Sequence, residues 1–234
     1  MARTADTLSG MRAVTVLGSG NTYHEDGRGH AAFAIERDDG RLALVDAGAT
    51  TLLRLREHGF APADLDIVLL THFHGDHTLG VPALLIELRT FGARARPLTF
   101  AGPAGTAGVV RALVDAAFPG FDPGFELRFV TLREGGEIDL DGLRLEPVAV
   151  THRPESLGYR VRDGRGNSIA FSGDCRFDDR LIRLVDGADV AFVEVGLPGP
   201  PVPDVDHVSV DEMLARAGEL RAGRLVFTLS LIHI

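Results

Sequence analysis

The sequence predicts an α/β protein, because short apolar runs of strand length alternate along the chain with longer segments of helical periodicity. Asp-Gly pairs lie between several consecutive apolar runs, where they favour tight hairpin turns. The 234 residues are 45% hydrophobic, which is sufficient for one sizeable core in a single domain or in two fused halves. These three observations together indicate a compact α/β fold.

The first half of the chain contains four predicted strands and three predicted helices. The strands are residues 12–17, 31–36, 42–46 and 66–71. Asp39 and Gly40 form the predicted hairpin turn between the second and third of them. The helices are residues 50–58, 81–91 and 106–118, and the first is expected to end near Gly59.

The second half of the chain repeats this pattern with more strands. Its predicted strands are residues 127–131, 137–140, 143–151, 157–161, 168–172 and 189–195. Asp-Gly turns are predicted at residues 141–142 and 163–164. A helix at residues 210–220 leads to a last strand at 224–228, and the proline-rich segment 196–203 is expected to be a connecting loop.

Three histidines and an aspartate lie within six positions directly after the apolar run 66–70. Residues two apart on an extended segment point to the same side, so His72 and His74 are expected to converge on one ion from a strand end. Gly75 permits a sharp turn, after which Asp76 and His77 face the same cavity. Imidazoles beside a carboxylate suit zinc, and four donors so close together indicate two ions rather than one.

Three further segments place polar residues at the ends of apolar runs. Asp46 lies in the segment 44–48, His152 ends the segment 150–152, and Asp174 ends the segment 171–174. In this order, together with residues 71–77, the segments resemble the motifs of the metallo-β-lactamase superfamily of metal-dependent hydrolases. The resemblance extends along nearly the whole chain.

The resemblance implies a four-layer αββα sandwich built from two similar halves, with the helices outside two β-sheets. It implies that Asp46 braces the metal loop by hydrogen bonding and that Asp174 bridges two ions. The implied metal ligands are His72, His74, Asp76, His77, His152 and Asp174. Two zinc ions are the expected cofactors, with Mn²⁺ or Fe²⁺ as alternatives, and Asp76 is also expected to be catalytic.

Finer features resemble the ribonuclease Z branch of that superfamily. They are the glycine-containing segment 17–22, the segment 158–160 after His152, and residues 172–175. Residues 207–212 resemble the branch's segment before the final helix, where a histidine assists proton transfer, so His207 is expected to be catalytic. The alternative is that His207 is a loop residue beside a helix N-cap at Ser209. The long tRNA-gripping arm of that branch has no counterpart, because the turn at Asp163 joins neighbouring predicted strands directly.

The expected function is hydrolysis of a phosphodiester in a small molecule or a short RNA by metal-activated water. A lactone or thioester hydrolase is the alternative among enzymes, because the same ligand set does not specify the bond that is cleaved. A metal-poor scaffold that keeps the fold without turnover is a third hypothesis, from a different class.

The net charge of −9 argues against DNA and against broad nucleic-acid binding, which requires a basic surface. Metal ions would still attract a small anionic substrate, and Arg153, Arg160 and Arg176 either help to hold an anion or are ordinary surface residues. No apolar run is long enough to span a membrane, and a cytoplasmic protein is expected. The lone Cys175 excludes an internal disulfide, and the family resemblance implies a homodimer.

The two ends of the chain differ from the rest. Residues 1–10 are polar, and a flexible leader is expected there, ahead of a single domain at residues 11–228. Family members follow the last strand with a histidine that completes the second metal site, but position 229 is leucine. Residues 229–234 correspond to a translated transposon end used in sequencing libraries, so they are expected to be adapter sequence added to a truncated chain.

Overall fold

A computed structural model describes residues 10–23, 27–92 and 94–228. These residues form two six-stranded β-sheets that pack face to face, with helices on the outer side of each sheet. The predicted α/β class and the four-layer αββα arrangement are therefore confirmed.

The first sheet has its strands in chain order. They are β1 (Met11–Gly18), β2 (Ala32–Arg37), β3 (Leu42–Val45), β4 (Leu65–Leu69), β5 (Leu98–Gly102) and β6 (Leu127–Thr131). Strands β1 to β3 are antiparallel, and β3 to β6 are parallel. The helices of this half are α1 (Thr51–Glu57), the one-turn α2 (Gly75–Thr78), α3 (Val81–Thr90) and α4 (Thr106–Ala117), with a short 3₁₀ helix at Pro62–Asp64.

The second sheet has the same design. Its strands are β7 (Ile138–Leu140), β8 (Leu143–Ala149), β9 (Leu157–Arg162), β10 (Ser168–Phe171), β11 (Val190–Glu194) and β12 (Arg224–Thr228). An antiparallel meander from β7 to β10 is followed by the parallel pairs β10–β11 and β11–β12. Helices α5 (Asp179–Val185) and α6 (Val210–Arg216) belong to this half, and a 3₁₀ helix follows at Ala217–Glu219. Both halves thus begin with an antiparallel meander and end with parallel strands.

Three hydrophobic layers hold the sandwich together. Leu44, Val68 and Leu84 belong to the layer between the first sheet and its helices. Ile35, Tyr159 and other residues fill the space between the two sheets. A third layer joins the second sheet to α5 and α6, and its members include Leu181, Leu184, Val193 and Met213. Because each sheet is covered on both faces, the central parallel strands are almost continuously apolar.

The strand β5 and the helices α2 and α5 were not predicted from the sequence, and the last helix was predicted too long. The strand β5 is a five-residue apolar run whose length suits a strand or a helix, so periodicity alone does not assign it. Helix α5 has a local N-cap signal, because Asp178 accepts hydrogen bonds from the N–H groups of Arg180 and Leu181. The predicted helix 210–220 is α-helical only to Arg216, and residues 217–219 form a tighter 3₁₀ turn.

Five predicted strands extended one or two residues too far at their carboxyl ends. In the structure these end residues lie just beyond the strands; they include Asp46, Thr71, Thr151 and Ser172. Apolar periodicity continues to such a strand end, but polar side chains there bond to neighbouring loops. The error therefore coincides with the candidate site.

The hairpin between β9 and β10 contains no inserted arm. Asp163 closes it by accepting hydrogen bonds from the N–H groups of Arg165 and Asn167. Only residues 163–167 separate the two strands, so the predicted absence of an arm at this position is confirmed.

The structure describes little of the two chain ends. Of the expected leader, only Gly10 is described; it is buried, and its carbonyl accepts from the N–H of Asp38. The expected adapter residues 229–234 lie outside the described residues. Within the described parts of the chain, no helix is both long enough and apolar enough to cross a membrane.

Candidate metal centre

The polar strand ends of both sheets meet at one edge of the sandwich. His72 and His74 follow β4, and Asp76 and His77 lie in α2 immediately afterwards. From the second sheet, His152 follows β8 by three residues and Asp174 follows β10 by three residues. The structure therefore brings together all six residues that the sequence predicted as metal ligands.

Four of the six residues form one compact group. His72, His74, His152 and Asp174 each offer one ligand atom, and these atoms lie within 4.8 Å of one another. Nε2 of His72 and Nε2 of His152 are each 3.7 Å from Oδ2 of Asp174. Nε2 of His152 is 3.1 Å from Nδ1 of His74. Three imidazoles and one carboxylate at such separations match the donor set of a tetrahedral zinc site.

The remaining two residues lie on the other side of Asp174. Nε2 of His77 is 3.1 Å from Oδ1 of Asp174 and 3.8 Å from Oδ2 of Asp76. Asp174 therefore contacts both groups, one through each carboxylate oxygen. This is the arrangement that a bridging carboxylate requires.

Asp46 orients the loop as the sequence predicted. Its carboxylate accepts from the backbone N–H of Thr71 at 2.8 Å and from Nδ1–H of His77 at 2.7 Å. The Thr71 hydroxyl also donates to it, at 2.9 Å, while Nδ1 of His72 lies 3.1 Å from that hydroxyl. One aspartate outside the ligand set thus fixes two histidines, and their Nε2 atoms face the cluster.

Buried polar atoms at the centre have no hydrogen-bond partner. They are Nε2 of His72 and the pair Nε2 of His77 and Oδ1 of Asp174, which lie 3.1 Å apart but are not aligned for a hydrogen bond. An unpaired buried polar group is costly, so such atoms call for a partner that the protein itself does not supply. Because all three converge on one space, the residues fit a divalent metal ion.

Burial and charge set the protonation of the cluster. Burial, with added repulsion from His77, lowers the pKa of His72 to about 2. Burial likewise lowers the pKa of His152. Burial would also lower the pKa of His77, but Asp174 and Asp46 outweigh it and raise that pKa well above its usual value. Neutral imidazole is the form that binds metal, so an ion entering beside His77 would displace a proton.

Close packing around the cluster requires glycine at two positions. Gly173 has φ of +57°, and a Cβ there would lie 2.8 Å from Cβ of Thr71. A Cβ on Gly48 would lie 2.2 Å from the carbonyl oxygen of Asp76. Gly173 therefore allows the loops of the two sheets to approach each other, and Gly48 allows two loops of the first sheet to do so, so a side chain at either glycine would disturb the cluster.

His207 lies beside the cluster, with its ring 4.9 Å from that of His152. Its Nδ1–H donates to Oε1 of Glu194 at 2.8 Å. Burial would lower the pKa of His207, but its hydrogen bond to Glu194 raises it to about 9. The raised pKa and the bond to Glu194 suit a group that holds a proton beside the cluster, and the proton-transfer role of His207 stays a prediction. The predicted N-cap at Ser209 is also present, as a capping box with Glu212.

Glu194 is a candidate functional residue that was not predicted from the sequence. This residue is fully buried at the end of β11, and besides His207 its carboxylate accepts from three backbone N–H groups, those of Cys175, Gly196 and Val208. A single acidic residue at the end of an apolar run was the available indication, and Asp46 has the same kind of position. Glu194 fixes His207 as Asp46 fixes His77.

The three candidate anion-binding arginines differ in the structure. Arg160 is buried and donates to the carbonyl of Leu184 at 2.7 Å, so it caps the end of α5 rather than facing the site. Arg153 is exposed. Arg176 is half-buried and pairs with Asp206, whose backbone oxygen accepts from Nδ1–H of His152 at 2.9 Å. Only Arg176 is linked both to the cluster and to a cavity beside it.

Comparison with known proteins gives a consistent result. A family model described as a beta-lactamase superfamily domain matches residues 41–234. The chain is 31% identical over 243 residues to ribonuclease Z of Mycobacterium bovis (strain BCG / Pasteur 1173P2). That alignment covers 93% of this chain and 85% of the relative.

Solved structures share the fold at lower identity. The metallo-beta-lactamase fold protein YhfI of Bacillus subtilis superposes with a TM-score of 0.77 at 19% identity, over 92% of this chain and 84% of that one. The short form of human tRNase Z superposes with a TM-score of 0.75 at 23% identity, over 92% of this chain and 91% of that one.

Proposed function

Because this chain belongs to the β-lactamase superfamily, among its ribonuclease Z-like members, we propose that it is a dinuclear zinc phosphodiesterase. Its family makes it a metal-dependent, ribonuclease Z-like hydrolase, and the two zinc ions and the phosphodiester bond are the proposal. The proposed substrate is a phosphodiester in a small molecule or a short RNA. The proposed ligands are His72, His74, His152 and Asp174 for one ion, and Asp76, His77 and Asp174 for the other.

The observation that carries this proposal is the convergence of four ligand atoms within 4.8 Å. Two of the imidazoles have their other ring nitrogen already bonded, His72 to Thr71 and His152 to Asp206. Their Nε2 atoms are therefore left to bind an ion. Zinc suits this mixture of imidazole and carboxylate donors, and Mn²⁺ or Fe²⁺ are accepted by the same set.

The chemistry can be divided between the ions and the protein. Divalent ions bound here would activate a water molecule and polarise the phosphorus–oxygen bond. His207 holds a proton at neutral pH, and because Nδ1 is committed to Glu194, Nε2 is the atom that delivers this proton to the departing oxygen. Asp46 orients His77 through its hydrogen bond to Nδ1. Asp76 lies 3.8 Å from Nε2 of His77 and would bind the same ion.

Substrate size follows from the missing arm and from the charge. The β9–β10 hairpin offers no extension to grip a large RNA, and the net charge is −9. A polyanion is repelled by such a surface, whereas a small phosphodiester meets mainly the local charge at the cluster. This supports a small substrate rather than a structured RNA.

The test is hydrolysis of bis-p-nitrophenyl phosphate by the purified chain, beside a p-nitrophenyl thioester and a lactone. We expect release of p-nitrophenolate from the phosphodiester, its loss after chelation, and its recovery with Zn²⁺, Mn²⁺ or Fe²⁺. The variant His74→Ala should lose the activity, and His58→Ala should keep it because His58 is exposed at the end of α1.

Two outcomes would contradict the proposal in different ways. Cleavage of the thioester or the lactone without cleavage of the phosphodiester would assign the alternative enzyme class. Failure to bind any divalent ion and to cleave any of the three compounds would favour the non-catalytic scaffold.

A further inference from the structure

A cavity of about 620 Å³ opens directly beside His207. The proline-rich loop 201–205 forms one wall, and Thr151, Arg176 and Phe177 contribute to the opposite side. Ligand pockets commonly have volumes of about 300–1,000 Å³, so this cavity has room for a group about the size of a nucleotide. His207 lines this cavity and also lies beside His152 of the cluster, so a molecule in the cavity is next to the proposed reaction centre.

Arg176 is held in place by the same segments that carry the cluster. Its backbone N–H donates to the carbonyl of Thr151 at 2.8 Å, next to His152. It follows Asp174 by two residues, which span at most about 7 Å of chain. The backbone of Arg176 is therefore held close to two proposed metal ligands, Asp174 and His152.

Arg176 is the only arginine or lysine among the described residues that line the cavity. Three acidic residues also line the cavity, and two of them are engaged elsewhere. Asp178 accepts from the Thr151 hydroxyl at 2.6 Å and from the first N–H groups of α5. Glu212 closes the capping box of α6. Neither carboxylate is therefore available to neutralise Arg176. The third, Asp204, is exposed, and the salt bridge of Arg176 is formed with Asp206 instead.

The partner of Arg176 is Asp206, and both side chains are partly exposed, 42% and 33% respectively. Exposed ion pairs contribute little to stability, so another anion can replace the Asp206 carboxylate at low cost. The backbone at Asp206 stays fixed in such an exchange, because its carbonyl accepts the hydrogen bond from His152. The ion pair can thus open without moving the cluster.

We propose that Arg176 binds a second anionic group of the substrate, a phosphate or a carboxylate, in exchange for Asp206. This inference rests on the proposed phosphodiester hydrolysis and narrows its substrate class to esters with a further oxyanion next to the scissile bond. A guanidinium suits this task because its two parallel N–H groups can bind two oxygens of one such group.

The first test measures binding in the metal-free protein, so that it does not depend on turnover. Inorganic phosphate is titrated calorimetrically into the unmodified chain and three variants. Arg176→Gln should bind phosphate at least tenfold more weakly, and Asp206→Asn at least threefold more tightly because the competing carboxylate is removed. Arg183→Gln is the matched control, since Arg183 also pairs with an acid, Glu134, but does not line this cavity.

The second test compares substrates with and without the extra anion. One pair is butyl p-nitrophenyl phosphate and its analogue with a terminal carboxylate; the other is the dinucleotide UpU and its terminally phosphorylated forms pUpU and UpUp. In at least one set the unmodified chain should prefer an anion-bearing ester in kcat/KM, and Arg176→Gln should reduce that preference at least tenfold. The set that shows the preference identifies the source of the anion, a small molecule or an RNA strand.

The outcomes separate this inference from the function on which it rests. Equal phosphate binding by the unmodified chain and Arg176→Gln, or an unchanged substrate preference in both sets, would overturn the role of Arg176. An equal loss of kcat/KM for charged and uncharged esters would also overturn it, because a merely structural role predicts that result. If no ester is cleaved at all, the proposed function fails, and phosphate binding alone decides the role of Arg176.

Discussion

Oδ2 of Asp46 lies 2.7 Å from Nδ1 of His77, and both side chains are almost completely buried. The same carboxylate accepts from the backbone N–H and the hydroxyl of Thr71, directly before His72. One residue outside the proposed ligand set therefore determines the orientation of the whole loop. Its removal tests whether that orientation serves metal binding.

Asp46→Asn should weaken zinc binding by about 10–100-fold, as is typical for residues that orient metal ligands. Asparagine removes the negative charge of Asp46 and replaces Oδ2, which accepts from both His77 and Thr71, with a donor or leaves it as a weaker acceptor. Competition titration with a chelator measures the affinity. Asp39→Asn, in the exposed turn between β2 and β3, is the control and should bind zinc normally. Zinc affinity within twofold for the two variants would contradict the bracing role.

Tyr159→Phe should lower the free energy of unfolding by about 1–3 kcal/mol, the usual cost of leaving a buried partner unsatisfied. The Tyr159 hydroxyl donates to the carbonyl of Leu70 at 2.6 Å and so links the second sheet to the start of the metal loop. Urea denaturation measures the change. The chain has two tyrosines, and Tyr23→Phe is the matched control because Tyr23 is 80% exposed. Equal stabilities of the two variants would show that this link contributes nothing.

Gly173→Ala should destabilise the protein more than Gly187→Ala does. Both glycines have positive φ, +57° and +75°, so alanine costs about 1–2 kcal/mol at each. At Gly173 the added Cβ also meets Thr71, which adds ~1–3 kcal/mol of overpacking, whereas nothing lies within 4 Å at Gly187. Thermal or urea unfolding compares the two. Similar losses would indicate that the approach of the loops is looser than the structure shows.

Glu194→Gln should reduce the pH dependence of stability between pH 6.5 and pH 9. The pKa of His207 is raised from 6.5 to about 9, so its protonation stabilises the fold fully below pH 6.5. That stabilisation is lost as the pH rises through 9. Without the Glu194 charge the pKa falls and this loss becomes smaller.

Urea unfolding of metal-free protein at pH 6.5 and pH 9 measures this difference. The exposed Glu57→Gln is the control and should keep the original pH dependence. If Glu194→Gln loses as much stability between the two pH values as the unmodified chain, His207 is not the group responsible.

The sequence predicted best what depends on neighbouring residues. Strand-length apolar runs placed most strands, and the resemblance of residues 44–48 to a family motif implied the bracing role of Asp46, with which its hydrogen bonds agree. Prediction from the sequence failed for contacts between residues that are far apart in the chain. Glu194 acquires its role from His207, thirteen positions later, and His152 meets the carbonyl of Asp206 across 54 positions. No local pattern encodes such contacts, because the packing of β11 and of the proline-rich loop creates them.

The strand ends illustrate the same limit within a few residues. Apolar periodicity extended β4 to Thr71, whereas the structure ends it at Leu69. Beyond that end, the N–H and the hydroxyl of Thr71 both donate hydrogen bonds to Asp46, 25 positions earlier. A strand boundary at a site therefore depends on the partner loop as well as on the strand itself.

Metal content tests the central claim most directly. Inductively coupled plasma mass spectrometry of the purified chain, after dialysis against zinc and then against buffer, gives the number of zinc ions per chain. The four convergent ligand atoms lead us to expect at least one zinc per chain, and its loss in His72→Ala and His152→Ala but not in His58→Ala. Zinc no higher in the unmodified chain than in His72→Ala would contradict the assignment of this cluster as a metal centre.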